Sequence, residues 1–284
     1  MQIHAEYILT AIILIVIAMG VSAIKWQLIL NGQELYISWL ELYRAYWIGL
    51  FFNNFLPSSM GGDAIRILHI GMRTGNKAAV ASSVVIERLI ATLALALVGF
   101  CASFFVSVKA GYIQVAFGAI VVITVLLTGL LIWGKAPSGL ICGSMKVTEL
   151  VQGFLVAGEK LRYRPRLLLY CLIWSVLFQC INVGVNYSLF RGLGLAHIGL
   201  WEALFIVPAT SALAMIPLGI NGYGLREGGY VTLLADYGVG NSGALTASIL
   251  FAFLVSGCSL WGGLLWLKTA KGALETDDDT IECT

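Results

Sequence analysis

The chain has 284 residues, 59% of them hydrophobic and only 11% charged, with a mean hydropathy of +0.90. A soluble domain carries about 25% charged residues, so this composition excludes an ordinary soluble enzyme and describes a polytopic membrane protein. The net charge of +2 says little by itself; where the charges sit says more.

In chain order, residues 7–24 form an apolar run of about one membrane span. Lys25 and Trp26 are read as its end, a cation beside an interfacial aromatic. No Lys or Arg precedes the run, so it lacks the basic flank of a signal peptide and is expected to be retained. Asn31-Gly32 reads as a turn. Residues 36–56 are apolar but hold Glu41 and Arg44, three apart on one helix face and read as an interfacial pair. The stretch GLFFNNFLPSSMGGDAIR, residues 49–66, then breaks the pattern. Pro57 removes a backbone donor and restricts Leu56, and Gly61 and Gly62 open conformations closed to other residues. In an apolar chain, a helix broken beside amides and charges marks a site, because irregular backbone at membrane depth needs protein or a watery cavity to satisfy it.

Residues 78–108 read as a long helix containing Glu87 and Arg88, and 112–133 as an uninterrupted span. Residues 135–166 are the longest polar stretch. Within them, apolar positions from Val147 to Leu161 keep a helical period, which predicts an amphipathic helix in the interface. Arg162, Arg164 and Arg166 close that stretch as a basic cluster. Residues 167–190 are a further span with Gln179, Asn182 and Asn186 on one face. Residues 200–218 are apolar but contain Pro208 and Pro217, and NGYGLREGG follows at 221–229. The last span covers 243–267, and the acidic tail 271–284 is expected to be disordered. The six cysteines show no C-x-x-C spacing and the three histidines no H-E-x-x-H pattern, so no metal site or cofactor is expected.

Pro57-x4-Gly62-x3-Arg66 recurs as Pro217-x4-Gly222-x3-Arg226, and each copy precedes a span opening Ala-x3-Ser, at Ala79–Ser83 and Ala244–Ser248. Paired broken segments of this kind point to a transporter-type site. If 36–57 and 200–218 dip in and return, thirteen basic residues lie on one face and only Lys109, Arg191 and Arg226 on the other, leaving Arg88 in the membrane. The positive-inside rule favours that layout over seven full crossings, with the N-terminus outside and the C-terminus cytoplasmic. The expected fold is therefore all-α: a polytopic integral membrane protein of about seven hydrophobic segments, five full spans and two re-entrant ones, arranged as an inverted repeat. One transmembrane domain covers 1–270.

KWQLIL (25–30), YWIGLFFNNFLPSSMGGDAIR (46–66), SVVIERL (83–89), ALFIVPATSALAMIPLGINGYGLREGG (203–229) and GGLLWL (262–267) carry a resemblance to a known family. The chain resembles the flippase-like membrane proteins related to the transmembrane region of lysylphosphatidylglycerol synthetase. The resemblance implies translocation of a lipid between leaflets. Three departures are visible. The span that usually precedes the one ending in KW is missing, Phe251 stands where the last span often carries Arg, and the soluble aminoacyl-transferase domain is absent.

The candidate substrate-binding residues are Asn53, Asn54, Asp63, Arg66, Glu87, Arg88, Asn221, Arg226 and Glu227. Arg88, inside a span, is costly and marks a site by default. Glu87 points about 100° away from it on the helix, so each needs another partner. Asp63 is the candidate for Arg88, and Arg66 or Arg226 for Glu87. These groups read either as structural ion pairs or as substrate contacts. Arg226 and Glu227, past a Gly-rich turn, would suit a lipid phosphate. The three asparagines would bind a headgroup or cap broken helix ends.

The resulting expectation is a non-enzyme that moves an anionic, aminoacylated or isoprenoid-linked lipid across the cell (inner) membrane, with the membrane lipid as its partner and no nucleic acid. Its alternatives are a membrane-embedded lipid-headgroup transferase, or a scaffold for a separate lipid-modifying enzyme.

Overall fold

A computed structural model describes residues 4–56, 61–106, 111–133, 153, 156–216, 222 and 224–281, with side chains to Lys268. Among them there are helices and connecting turns and no strand. The helices are α1 (Ala5–Gly32), α2 (Trp39–Asn53), α3 (Gly61–Thr74), α4 (Lys77–Ala102), α5 (Gly111–Trp133), α6 (Pro165–Gly192), α7 (Leu200–Ala214), α8 (Leu225–Ala235) and α9 (Asn241–Ile281), with a 3-10 turn at Lys160–Tyr163.

Five of them, α1, α4, α5, α6 and α9, are long and apolar enough to cross a membrane. The 15 residues each of α2 and α7 reach only about 22 Å at 1.5 Å per residue, short of the roughly 30 Å hydrocarbon core. Local chemistry fixes several ends. The Ser38 hydroxyl accepts from the Glu41 N–H to start α2, the Asn76 side chain accepts from the Ala79 N–H at 3.0 Å to start α4, and Pro165 opens α6.

The element lengths themselves repeat. Helices α1 and α6 are both 28 residues long, and α2 and α7 both 15. Packing follows the same exchange: α1 lies along α6, α2 packs on α9 and α7 on α4, and α3 and α8 pack on α4 and α9 in turn. Two units, α1–α4 and α6–α9, thus embrace each other, and the single crossing α5 between them inverts the second. Helices α1 and α6 are antiparallel. Tyr7 meets Gly192 at one end, and Leu167 meets Gly32 at the other. Close approach of α2 to α9 depends on Gly262, where a Cβ would overlap the Trp47 carbonyl.

Two boundaries differ from the sequence reading. α1 does not stop at Lys25; it runs a further two turns to Gly32, because Leu28, Ile29 and Leu30 keep the apolar face going. α4 ends at Ala102, followed by turns at Ser103–Phe105. Most of the predicted interfacial helix lies outside the described residues; its described end is helical over 156–159 and passes into the Lys160–Tyr163 turn, with Leu161 fully buried.

Lys25 and Arg66, counted with the basic face, and Arg226, counted with the other, all face the interior of the protein, so the count of basic residues changes. Its asymmetry survives. Arg73, Lys77, Lys160, Arg162, Arg164, Arg166 and Lys268 gather at the α1 C-terminal face, where Gly158 touches the end of α5 and Gly153 the start of α4. Arg191 is at the opposite face. Single cysteines at Glu6 and Arg162 are therefore expected to react with an impermeant reagent from opposite sides of the membrane, Arg162 from the cytoplasm. Labelling of both from one side would remove the five-crossing layout.

Candidate functional site

The mid-portions of the spans meet the tips of both hairpins at one cavity of about 290 Å³. That volume is near the lower end of the roughly 300–1,000 Å³ usual for ligand pockets. Met19, Ser22 and Lys25 come from α1, Glu87 and Arg88 from α4, and Phe178 from α6. Hairpin α2–α3 contributes Tyr46, Asn53, Asp63 and Arg66, and hairpin α7–α8 contributes Ser211, Met215 and Arg226. The two broken segments, some 160 residues apart, therefore share one site.

Its charges form an alternating row. Lys25 Nζ is 3.3 Å from Glu87 Oε1, and Glu87 Oε2 is 3.5 Å from Arg66 Nη1. Arg66 Nη2 reaches Asp63 Oδ1 at 2.5 Å. Asp63 then takes Arg88 with two bonds, Nε to Oδ2 at 2.6 Å and Nη2 to Oδ1 at 2.9 Å. The expected Asp63–Arg88 pair is the observed one; Glu87 takes Arg66 rather than Arg226, and its nearest partner, Lys25, was not expected.

Lys25 is the cavity residue that sequence reasoning missed. It was read as a membrane-surface cation, yet it is 2% exposed, packed over the Phe178 ring at 4.5 Å. The apolar QLIL after it was the available signal that α1 continues.

Arg66 and Arg88 differ sharply. The Arg66 side chain is 3% exposed and stacked on Tyr46 (4.0 Å) and Trp26 (4.8 Å), so its role is to hold α3 against α1, α2 and α4. The Arg88 side chain is 43% exposed and open to the cavity. Arg226 lies on the opposite wall over the Phe251 ring at 5.0 Å, with no ion pair among the described residues. Phe251 thus fills the position where an arginine was looked for and serves as a platform for Arg226. The cavity lining holds four cations, Lys25, Arg66, Arg88 and Arg226, against two carboxylates.

The asparagines divide. Asn53 Oδ1 accepts from the Gly62 N–H at 2.7 Å, capping the start of α3 at the hairpin tip while its side chain borders the cavity. Gly49 and Gly62 allow this, since a Cβ on Gly62 would overlap the Gly49 carbonyl. Asn54 turns away, donating to Ser259 Oγ at 2.7 Å and accepting from Ser256 Oγ at 3.1 Å; it clasps the hairpin to α9. Asn221 lies outside the described residues, as do Pro57 and Pro217. Glu227 accepts from the Gly224 N–H at 2.5 Å and from Ser248 Oγ at 3.3 Å, so it ties the second hairpin to α9 rather than lining the cavity. Gly224 and Gly222 have φ of +89° and +77°, conformations natural only to glycine. The expected Glu41–Arg44 pair is also replaced: Glu41 meets Arg73 Nε at 2.8 Å, joining α2 to α3. No group of three or more His, Cys, Asp or Glu among the described residues could hold a metal ion.

A helical membrane protein with two broken hairpins meeting at a charged mid-membrane cavity belongs to the broad class of inverted-repeat proteins. The family model for the lysylphosphatidylglycerol synthase TM region matches residues 1–265, and the chain belongs to that family. It is similar to the UPF0104 membrane protein PH1989 of Pyrococcus horikoshii, with 24% identity over 302 residues covering 95% of this chain and 89% of the relative. No solved structure matches the chain. Membership marks a multi-pass, lipid-related membrane protein.

The row predicts strong coupling. Glu87→Ala leaves Lys25 buried without its nearest carboxylate, and removing one member of a buried pair costs about 3–5 kcal/mol. Lys25→Ala is expected to lower the thermal midpoint in detergent, and Glu87→Ala to lower it further, because Arg66 also loses a partner. The double variant should lose less than the sum. Additive losses would mean the pair is not energetically joined.

Proposed function

We propose that the protein translocates a phosphate-bearing anionic lipid between leaflets of the cell membrane, as a carrier rather than an enzyme. The observation that carries this reading is the cavity itself. Four cations face two carboxylates, and the tips of two oppositely inserted hairpins form its walls. A headgroup fits the cavity while its hydrocarbon chains stay in lipid.

Among the three lipid classes expected from the sequence, the charge balance favours anionic or isoprenoid-linked headgroups over aminoacylated ones. Asp63 and Glu87 each already serve two cations, so neither is left for an added ammonium. The accessible groups are guanidiniums, Arg88 and Arg226, from opposite repeats. A guanidinium grips phosphate with two parallel bonds where an ammonium offers a point charge. The same double engagement of both carboxylates supports passive exchange over proton carriage.

Translocation is measured in proteoliposomes by the loss of outer-leaflet fluorescent lipid to a membrane-impermeant quencher. Arg88→Ala should abolish protein-dependent flipping and Arg88→Lys retain part of it, with insertion checked by size-exclusion profile. Arg226→Ala should slow it, and the double variant should be no worse than Arg88→Ala alone, since both act on one ligand. Wild-type flipping by Arg88→Ala would overturn the assignment. Lipid modification by purified protein in detergent, where no leaflets exist, would favour the transferase.

A further inference from the structure

The basic segment beside α6 takes no part in the cavity, and it builds a groove of its own. Where α1 ends and α6 begins, Tyr163, Arg164, Arg166, Tyr170 and Leu167 face Leu28 of α1 across a groove of about 580 Å³. Its level is that of the span ends. Arg164 donates to the carbonyl of Asn31 at 3.2 Å, in the last turn of α1, and Pro165 is the first residue of α6.

The groove has two chemically distinct parts. Its upper rim is cationic, with Lys160 and Arg162 on the same turn. Its lower wall, Leu28, Leu167 and the Tyr170 ring, continues down the spans. Tyr163 and Tyr170 are 77% and 57% exposed, amphipathic rings at the depth where headgroups sit. One carboxylate opposes the rim: Glu34 lies 2.6 Å from Lys160 Nζ and 4.0 Å from Arg164 Nη2. The Lys160 ammonium holds that carboxyl below its ordinary range. Arg166 has no carboxylate partner among the described residues.

We propose that this groove is a docking site for one anionic phospholipid, its phosphate on Arg164 and Arg166 and a hydrocarbon chain along Leu28, Leu167 and Tyr170. Cations at the membrane surface attract acidic lipids, each contributing about 1 kcal/mol, or roughly fivefold in affinity. A soluble polyanion would match only the rim and leave the apolar wall unused, which favours a lipid. The site is separate from the translocation cavity and stands whether or not that cavity moves lipid.

The test uses the full chain in nanodiscs of phosphatidylcholine containing phosphatidylglycerol, with retained lipid read by native mass spectrometry. Wild type should keep phosphatidylglycerol preferentially. Arg166→Gln, which leaves the Arg164–Asn31 bond intact, should weaken retention roughly fivefold, and Arg164→Gln with Arg166→Gln roughly twentyfold or more. Glu34→Gln should strengthen it by freeing Lys160 and Arg164. Arg191→Gln, at the opposite face, should leave it unchanged. Unchanged retention in Arg166→Gln and the double variant overturns the site. Equal loss in Arg191→Gln overturns it as general surface attraction. Displacement by glycerol phosphate would overturn it in favour of a soluble anion.

Discussion

The alternating row Lys25–Glu87–Arg66–Asp63–Arg88 is the interaction on which the centre of the molecule depends. A single charge at the middle of a bilayer costs about 2.5–3.5 kcal/mol even on insertion scales, so five of them are tolerable only if each neutralises its neighbour. The row does this across three helices. Lys25 stands on α1, Glu87 and Arg88 on α4, and Asp63 and Arg66 on α3. It therefore fastens the re-entrant hairpin to two spans at a depth where apolar side chains give little preference for protein over lipid. Trp26 reinforces the junction, donating to Ser83 Oγ at 2.9 Å and stacking under Arg66. With three cations and two carboxylates, the row leaves its surplus charge at the accessible end, Arg88.

The second repeat solves the same mechanical problem without the charges. Aligning Ala79–Ser83 with Ala244–Ser248 sets Ala252 opposite Glu87 and Phe253 opposite Arg88. Phe253 is 72% exposed and faces outward, while Ala252 is buried. Hydrogen bonds take over: Tyr230 donates to Asn186 Oδ1 at 2.6 Å, joining α8 to α6, and Glu227 bonds Ser248 of α9. At each tip a side-chain oxygen satisfies a backbone N–H left by the break, Asn53 for Gly62 and Glu227 for Gly224. That is the requirement for non-helical backbone at membrane depth. The repeats share a frame and its satisfied breaks, but only the first carries an ionic core, and Arg226 is the one charge the second brings to the cavity lining.

Much of this was legible in the sequence because the bilayer limits what an apolar run can be. The five spans, the two breaks and the repeat all follow from hydropathy, Pro and Gly. The Asp63–Arg88 pair follows from the need of an isolated membrane charge for a partner. Lys25 was misread for a physical reason: a cation followed by Trp usually does mark the interface, and only packing against Phe178 and Glu87 reveals a buried one. Asn54 and Glu227 were grouped with the site because an amide or carboxylate beside a break suits capping, clasping and binding equally. The direction of a side chain decides among these, and direction is a tertiary property. Glu41 chose Arg73 over Arg44 because α3 folds back onto α2, a contact no local spacing encodes.

Three arginines at comparable depth end with three roles, and exposure is what separates them. Arg66, almost fully enclosed and stacked between two rings, has its charge and its donors committed within the protein. Arg88 shares Asp63 with Arg66 but keeps much of its surface toward the cavity, where an anion would meet it without breaking the row. Arg226, on an aromatic platform and without a carboxylate, has the most to gain from an incoming anion. Because α3 belongs to a hairpin entering from one face and α8 to one entering from the other, Arg88 with Asp63 and Arg226 are supported by different repeats. On the proposed translocation, a phosphate between them would stay gripped by Arg88 on its span while the hairpin bearing Arg226 moved. A cavity with a single charged wall would have to release the headgroup before opening.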